Sequence, residues 1–215
     1  MITPKLEPLG DGALLIRLGD RIDDAVNDAA IALAAGLREH YDAAPAYASV
    51  CVRFDVDHPP DAELLLTIVE ESLGKRRPAD AVHVMEIPVR YGGEFGPDIA
   101  DVAAHTKLTV DDIVARHAAA TYTVAMLGFM PGFAYLRGLP AELATSRRAT
   151  PRTQVPAGSV AIGGAQTGIY PRELPGGWQI IGRTPLNLFD AGREQPALLQ
   201  PGQRVRFVPI DTFAK

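Results

Sequence analysis

"TYTVAMLGFMPGFAYLRGLP", residues 121–140, carries the two textures on which the fold reading turns. Tyr122, Val124 and Met126 alternate with Thr121, Thr123 and Ala125, the period-two pattern of a strand. From Leu127 onward Gly128, Pro131, Gly132, Gly138 and Pro140 punctuate the chain, yet Phe129, Phe133 and Tyr135 are too apolar for a solvated loop. A strand that delivers the chain to the rim of a barrel or sandwich reconciles the two. Pro131 stiffens the corner there, and the aromatic side chains line a wall or an interface. Phe129, Pro131, Phe133 and Tyr135 are therefore expected to be pocket-wall or interface residues.

Downstream, strands are expected at Ser159–Ile162, Gln179–Gly182, Leu186–Phe189 and Arg204–Pro209, with glycine and proline closely spaced between them. Many short strands without a long helix indicate a β-barrel or sandwich. Upstream, "YGGEFGPD" at 91–98 leads into a helix near Ile99–His105, and Thr109-x-x-Asp112 is a capping box opening a second short helix. Residues 1–80 read differently. Leu6–Leu9 and Ala13–Leu18 flank the hairpin signal Gly10-Asp11-Gly12. Asp23 or Asp24 caps a helix to about His40 with a stripe of Val26, Ala29, Ala30, Leu33 and Leu37. Tyr47–Phe54 alternates as a strand, and Pro59-Pro60-Asp61 opens a helix through Leu73. With a strand at Val82–Val89 the order is β-β-α-β-α-β, a small two-layer α+β unit. "GKRRPAD", 74–80, is the expected linker, giving units at 1–80 and 81–215.

The chain has 215 residues and a formal charge of −5, with 47% hydrophobic and 22% charged residues. That balance excludes a nucleic-acid or anionic-membrane surface. A single cysteine, Cys51, excludes a disulfide framework and reads as a strand packing residue. The N-terminus lacks a basic region followed by an apolar run, and no stretch reaches transmembrane length. A soluble cytoplasmic protein is expected.

Standard sites are missing from the sequence. It holds no Walker A loop and no G-x-G-x-x-G, and Ser159 in "PAGSVAIG" is not a nucleophile elbow. The five histidines lack metal-ligand spacing, so no metal site is expected. His117 lies on an apolar helix stripe with Val110, Ile113 and Val114. It is either a satisfied core histidine or a helix-end group facing a cleft as acid, base or donor. Polar groups do collect in glycine-rich, apolar surroundings: Tyr91 and Glu94; Arg152, Gln154 and Ser159; Gln166, Thr167 and Tyr170; Trp178, Arg183 and Thr184. Arginine forks suit carboxylate or phosphate, amides suit amides, and nearby glycines let backbone N–H groups approach a ligand. Alternatively, the glycines and prolines only shape tight barrel corners.

"YGGEFGPDI", "LGFMPGFAYL", "TPRTQVPAGSVAIGGAQTGIYP" and "PGGWQIIGRTP" occur in this order. They resemble the KipI / allophanate hydrolase subunit 1 family, linked to the B component of prokaryotic ATP-dependent 5-oxoprolinase. The match covers the C-terminal half; the N-terminal half is similar in layout and in its "LGDGALLIRLG" start. The resemblance implies a cyclophilin-like β-barrel behind a small α+β domain, related to a module of the urea carboxylase carboxyltransferase domain. It implies a hetero-oligomer with two partners. One is a KipA-like protein, homologous to the C component of 5-oxoprolinase, and the other is its LamB/YcsF-like A component. It also implies opening of the 5-oxoproline lactam to glutamate with ATP hydrolysis. ATP, with Mg²⁺, would occupy a non-Walker site shared with a partner. The allophanate hydrolase label would need a serine nucleophile of amidase type, for which the sequence offers no arrangement.

Under this resemblance the catalytic candidates are Glu94 or His117 as acid or base, with Arg152 or Arg183 holding a carboxylate or phosphate. Gln154, Gln166 and Thr167 would hydrogen-bond the lactam amide, with Tyr91, Ser159, Tyr170, Trp178 and Thr184 as further binding candidates. The alternative is a regulatory module inhibiting a sensor histidine kinase, as the family's namesake does, through an exposed apolar surface. Prolyl isomerisation would rest on fold analogy alone.

Overall fold

Asp23 accepts hydrogen bonds from the backbone N–H groups of Ala25 and Val26 and so starts the first helix of the chain, α1 (Asp24–Leu37). The computed structural model describes residues 2–74 and 83–212. The chain divides into two compact units, Met1–Ala81 and Val82–Lys215.

The first unit contains β1 (Lys5–Pro8), β2 (Ala13–Arg17), α1, β3 (Asp42–Pro45), β4 (Ser49–Arg53) and α2 (Ala62–Gly74). Its antiparallel sheet runs β1-β2-β4-β3. Ile16, Val50, Val52 and Ala43 share a core with Leu33, Leu37, Leu65 and Val69 of the two helices. Helix α1 stops at Leu37, short of His40, and β3 follows at once. That strand escapes a pattern search because Asp-Ala-Ala-Pro does not alternate strongly and contains a proline. It lies at the sheet edge, where a missing N–H is tolerated. Asp61 accepts from the N–H groups of Glu63 and Leu64 and starts α2. The expected β-β-α-β-α-β order needs correction. A fourth strand precedes α2, and the strand expected to close the order belongs to the second unit. The linker stretch 75–80 lies outside the described residues.

The second unit is a closed barrel. Its strands are β5 (Val84–Tyr91), β6 (Tyr122–Leu127), β7 (Ala134–Arg137), β9 (Ser159–Gly163), β10 (Gln166–Ile169), β12 (Gln179–Arg183) and β13 (Arg204–Pro209). They close in the order β10-β7-β6-β13-β5-β12-β9, with β5 and β13 parallel. A separate ribbon pairs β8 (Arg152–Val155) with β11 (Leu174–Gly176). Helices α3 (Ile99–Thr106) and α4 (Val110–Ala119) pack on β12 and β13. Thr109 and Asp112 form the expected capping box on α4. The fold is thus α+β with a C-terminal closed barrel.

Period-two alternation sorts the wall residues into two cores. Val160 and Ile162 of β9 join Val89, Val124, Leu136, Ile181 and Phe207 in one cluster with Ile113 of α4. Ala161, between them, joins Phe133, Tyr170, Leu174, Trp178 and Ile180 in the other. The segment opening at Leu127 is the corner of the β6–β7 hairpin, closed by hydrogen bonds from Phe133 N to Met130 O and from Gly128 N to Phe133 O. The expected strand Leu186–Phe189 is absent apart from an isolated bridge at Phe189. Thr184 Oγ1 accepts from Leu186 N and Asn187 Oδ1 from Phe189 N, local bonds that compete with a ladder.

Trp178 lies against the backbone of Gly163, where an added Cβ would stand 2.5 Å from the indole ring. Gly163→Ala is expected to lower the urea unfolding midpoint by an amount corresponding to about 1–3 kcal/mol. It should also red-shift the fluorescence of Trp178, the one tryptophan of the chain. An unchanged midpoint and emission maximum would disprove this packing.

Candidate functional site

The turn "YGGEFGPD" folds back onto β12. Gly92 N donates to Ile181 O and Asp98 N to Ile180 O. Only glycine fits at position 96, where a Cβ would come 2.1 Å from Ile181 O. The turn delivers Asp98, whose carboxylate is buried with a side-chain exposure of 2%. Asp98 Oδ1 accepts from Arg148 Nη1 at 2.8 Å and Arg152 Nη2 at 2.6 Å. Its Oδ2 accepts from Arg152 Nη1 at 2.7 Å and Ile180 N at 2.8 Å. Arg152 is therefore held as a fork on a protein carboxylate, and its expected role on a substrate anion is corrected: the substrate's place is taken by Asp98. The sequence reading missed Asp98 because an Asp before a helix looks like a cap. Its side chain makes no cap bond to α3. The available signal was Arg148 and Arg152 four residues apart, which together need a carboxylate.

His117 is wholly buried on α4. Its ring stacks on Phe207 with centroids 4.5 Å apart. Thr167 Oγ1 donates to Ala161 O at 3.0 Å, so it can only accept from His117 Nε2, 3.1 Å away. His117 Nδ1 then accepts from the Tyr91 hydroxyl at 2.7 Å. The hydrogen-bond network fixes this neutral tautomer. Burial lowers the His117 pKa to about 3 and pushes the Tyr91 hydroxyl well above its ordinary range. Of the two expectations for His117, the core histidine is the one found; both ring nitrogens are engaged and neither faces a cleft. Tyr91 and Thr167 are committed to the same line, so Thr167 has no hydroxyl proton left for a lactam.

A second group of candidates forms an aromatic cluster on the other face of the wall. Phe133 meets Tyr170 and Trp178 edge-on, with centroids 5.2 and 5.7 Å apart, and Tyr135 packs on both Phe133 and Trp178. The Arg147 guanidinium sits 5.6 Å from the Trp178 ring. Phe133 is core, whereas Phe129, expected off the solvent, is 65% exposed at φ +66°. Pro131, Glu94 and Gln154 are exposed and Gln166 is half-buried. Thr184 is buried with its hydroxyl accepting from Leu186 N. Arg183 and Ser159 are cross-strand neighbours, and Arg183 lies over the Phe95 ring at 5.2 Å. Among the described residues no ion pair holds Arg183, and no group of three or more His, Cys, Asp or Glu could hold a metal ion. No helix among them is long and apolar enough to cross a membrane.

The family model of the carboxyltransferase domain, subdomain C and D, matches residues 4–199. The 5-oxoprolinase B subunit of Bacillus subtilis (strain 168) is 41% identical over 222 residues, covering 96% of this chain and 92% of that protein. The 5-oxoprolinase B subunit of Escherichia coli O157:H7 is 59% identical over 125 residues, covering 58% of this chain and 57% of its own. The solved structure of TTHA0988 superposes with a TM-score of 0.81 at 36% identity over 93% of this chain, which spans 40% of that longer protein.

Asp98→Asn removes the buried charge that two arginines share. Loss of one partner from a buried pair costs about 3–5 kcal/mol. With the Arg148 and Arg152 side chains 32% and 26% exposed, water takes up part of that penalty. The variant is expected to lose about 2–3 kcal/mol in denaturant unfolding; a loss below measurement error would contradict the hub. His117 titrates near 6.5 when unfolded and near 3 when folded, so its contribution is complete above pH 6.5 and is lost as pH falls towards 3. The stability advantage of wild type over His117→Gln should shrink by about 1 kcal/mol for each pH unit between about pH 6 and 4. A pH-independent difference would contradict a neutral, buried imidazole.

Proposed function

The chain belongs to the carboxyltransferase-domain family, subdomain C and D, and from that premise we propose that it is one component of a heteromeric, ATP-dependent 5-oxoprolinase. The observation that carries the reading is the match, over nearly the whole of both chains, to a protein named as the B subunit of 5-oxoprolinase. Its working partners would be a KipA-like homologue of the C component and a LamB/YcsF-like A component.

The chemistry explains the need for ATP. A lactam carbonyl is a poor electrophile because the ring nitrogen donates into it. Phosphorylating the carbonyl oxygen makes the carbon attackable and creates a leaving group. Water adds to that carbon, the C–N bond breaks, and the nitrogen takes a proton. A second water releases phosphate from the resulting acyl phosphate, giving glutamate, ADP and phosphate.

Within this chain the division of arginines supports Arg183, not Arg152, as the cation for a substrate carboxylate or a phosphate. Gln154 and Gln166 remain the amide partners for the lactam, and exposed Glu94 replaces His117 as the acid or base. A self-contained hydrolase would need a base beside a nucleophile. The one histidine in the barrel core has both ring nitrogens engaged, which favours a protein whose site is completed by others. ATP would bind across that boundary, with Mg²⁺ carried on its phosphates.

One observation favours the second reading, a regulatory module that inhibits a sensor histidine kinase. Phe129 is an exposed aromatic held in the left-handed region, where a non-glycine residue is uncommon. Reconstitution separates the two readings. The chain mixed with both partners, 5-oxoproline and ATP is expected to form glutamate and ADP, and omission of any one of the three proteins should abolish it. A complete mixture that stays inactive, while this chain suppresses autophosphorylation of a histidine kinase, would establish the second reading instead.

A further inference from the structure

One row of polar side chains crosses three barrel strands and belongs to neither the Asp98 hub nor the His117 line. Arg90 of β5 stands opposite Arg183 of β12, and Arg183 opposite Ser159 of β9. Residues directly opposite on antiparallel strands point to one face. Val89 and Val160 flank the row and join the first barrel core, so Arg90 and Ser159 point the other way.

Both guanidinium groups gather on one ring. Arg90 Cζ lies 4.6 Å and Arg183 Cζ 5.2 Å from the centroid of Phe95. The contrast with Arg148 and Arg152 is direct, because those two share the Asp98 carboxylate, with Asp101 Oδ2 3.9 Å from Arg148. Among the described residues no carboxylate pairs with Arg90 or Arg183. Two like charges sharing a ring repel one another, and the ring quadrupole attracts each without cancelling either. Two polar atoms in the row are also buried without a hydrogen-bond partner, Arg183 Nε and Ser159 Oγ. Orphaned buried groups of this kind are rare and call for a partner. Gly158 runs close beside the Arg183 stem: a Cβ added there would stand 3.3 Å from Arg183 Cγ and 2.2 Å from Thr184 O.

We propose that Arg90, Arg183 and Ser159 form an oxyanion-binding site for a small molecule carrying a carboxylate or a phosphate, with Phe95 holding the two guanidinium forks side by side. The proposal rests on the reading of Arg183 as the substrate-facing cation and extends it to Arg90, Ser159 and Phe95. The anion accepts an N–H from each fork and the Ser159 hydroxyl proton, which satisfies both orphaned atoms and cancels the like-charge repulsion.

Calorimetric titration of the purified chain tests it with four probes: 5-oxoproline, the same lactam ring without its carboxylate, inorganic phosphate, and ATP. Binding of 5-oxoproline but not of the bare lactam identifies a carboxylate site; binding of phosphate and ATP identifies a phosphate site. In either case Arg90→Gln and Arg183→Gln are each expected to weaken the interaction about tenfold or more. Arg90→Lys, which keeps charge and loses the fork, should fall between. Circular dichroism identifies any variant that has lost its fold, and Ser159→Ala, expected to weaken binding severalfold, is the independent variant at the site. No binding of any anion, or wild-type affinity in folded Arg90→Gln, overturns the proposal. Anion binding alongside an inactive reconstituted mixture leaves the site standing and removes the 5-oxoprolinase reading. A turning-over mixture in which Arg90→Gln changes neither KM nor kcat does the reverse.

Discussion

The carboxylate of Asp98 is the constraint around which the second unit is arranged. It takes four hydrogen bonds from three separate stretches of chain: Arg148, Arg152 at the start of β8, and the backbone of β12. A buried carboxylate tolerates such a position only when its lone pairs are filled and its charge matched. The glycine turn before it exists to bring it there, since a side chain at Gly96 would collide with β12. Fixing that turn also fixes Phe95, and Phe95 gathers Arg90 and Arg183. One interaction thus sorts four arginines into two kinds: two that share a buried carboxylate and two without one.

The barrel interior contributes rigidity and no free chemistry. His117, Tyr91 and Thr167 form a line of hydrogen bonds whose donors and acceptors are matched in one sense from the Tyr91 hydroxyl to the Ala161 carbonyl. Burial keeps the imidazole neutral and the phenol protonated, so the line carries no charge to desolvate. Its worth lies in tying α4 to β5 and β10 across the core. Groups able to meet a ligand are accordingly those that point away from this interior.

The sequence revealed elements with strong local signals and hid those defined by tertiary contact. Asp23, Asp61 and the Thr109–Asp112 box mark helix starts correctly, because a cap is a local hydrogen bond. Strands β6 and β13 alternate plainly and β9 and β12 stand out as short apolar runs beside glycines, whereas β7, β10 and β11 are three or four residues long, too short to establish a period. Leu186–Phe189 alternates yet is no strand, since side-chain turns satisfy its backbone first. At the candidate site the residue types were legible and their partners were not. Nothing in "TPRTQ" says that Arg152 is spoken for by a carboxylate 54 residues upstream. Nor does "PVRYGG" announce that Arg90 has a twin on another strand. Ring-specific information, such as which face of the wall Trp178 covers, came only with the register of β9 and β12.

Four arginines divide into a pair on Asp98 and a pair gathered on Phe95 without a carboxylate, and everything proposed for the site depends on that division. Its most direct test is melting temperature and anion affinity measured on the same preparations of Arg152→Gln and Arg183→Gln. Arg152→Gln is predicted to show a clear drop in melting temperature, with the folded fraction still binding the anion. Arg183→Gln is predicted to do the opposite, keeping a near-native melting temperature and losing affinity. Equal losses of affinity in both variants, or an Arg152→Gln protein as stable as wild type, would contradict the division.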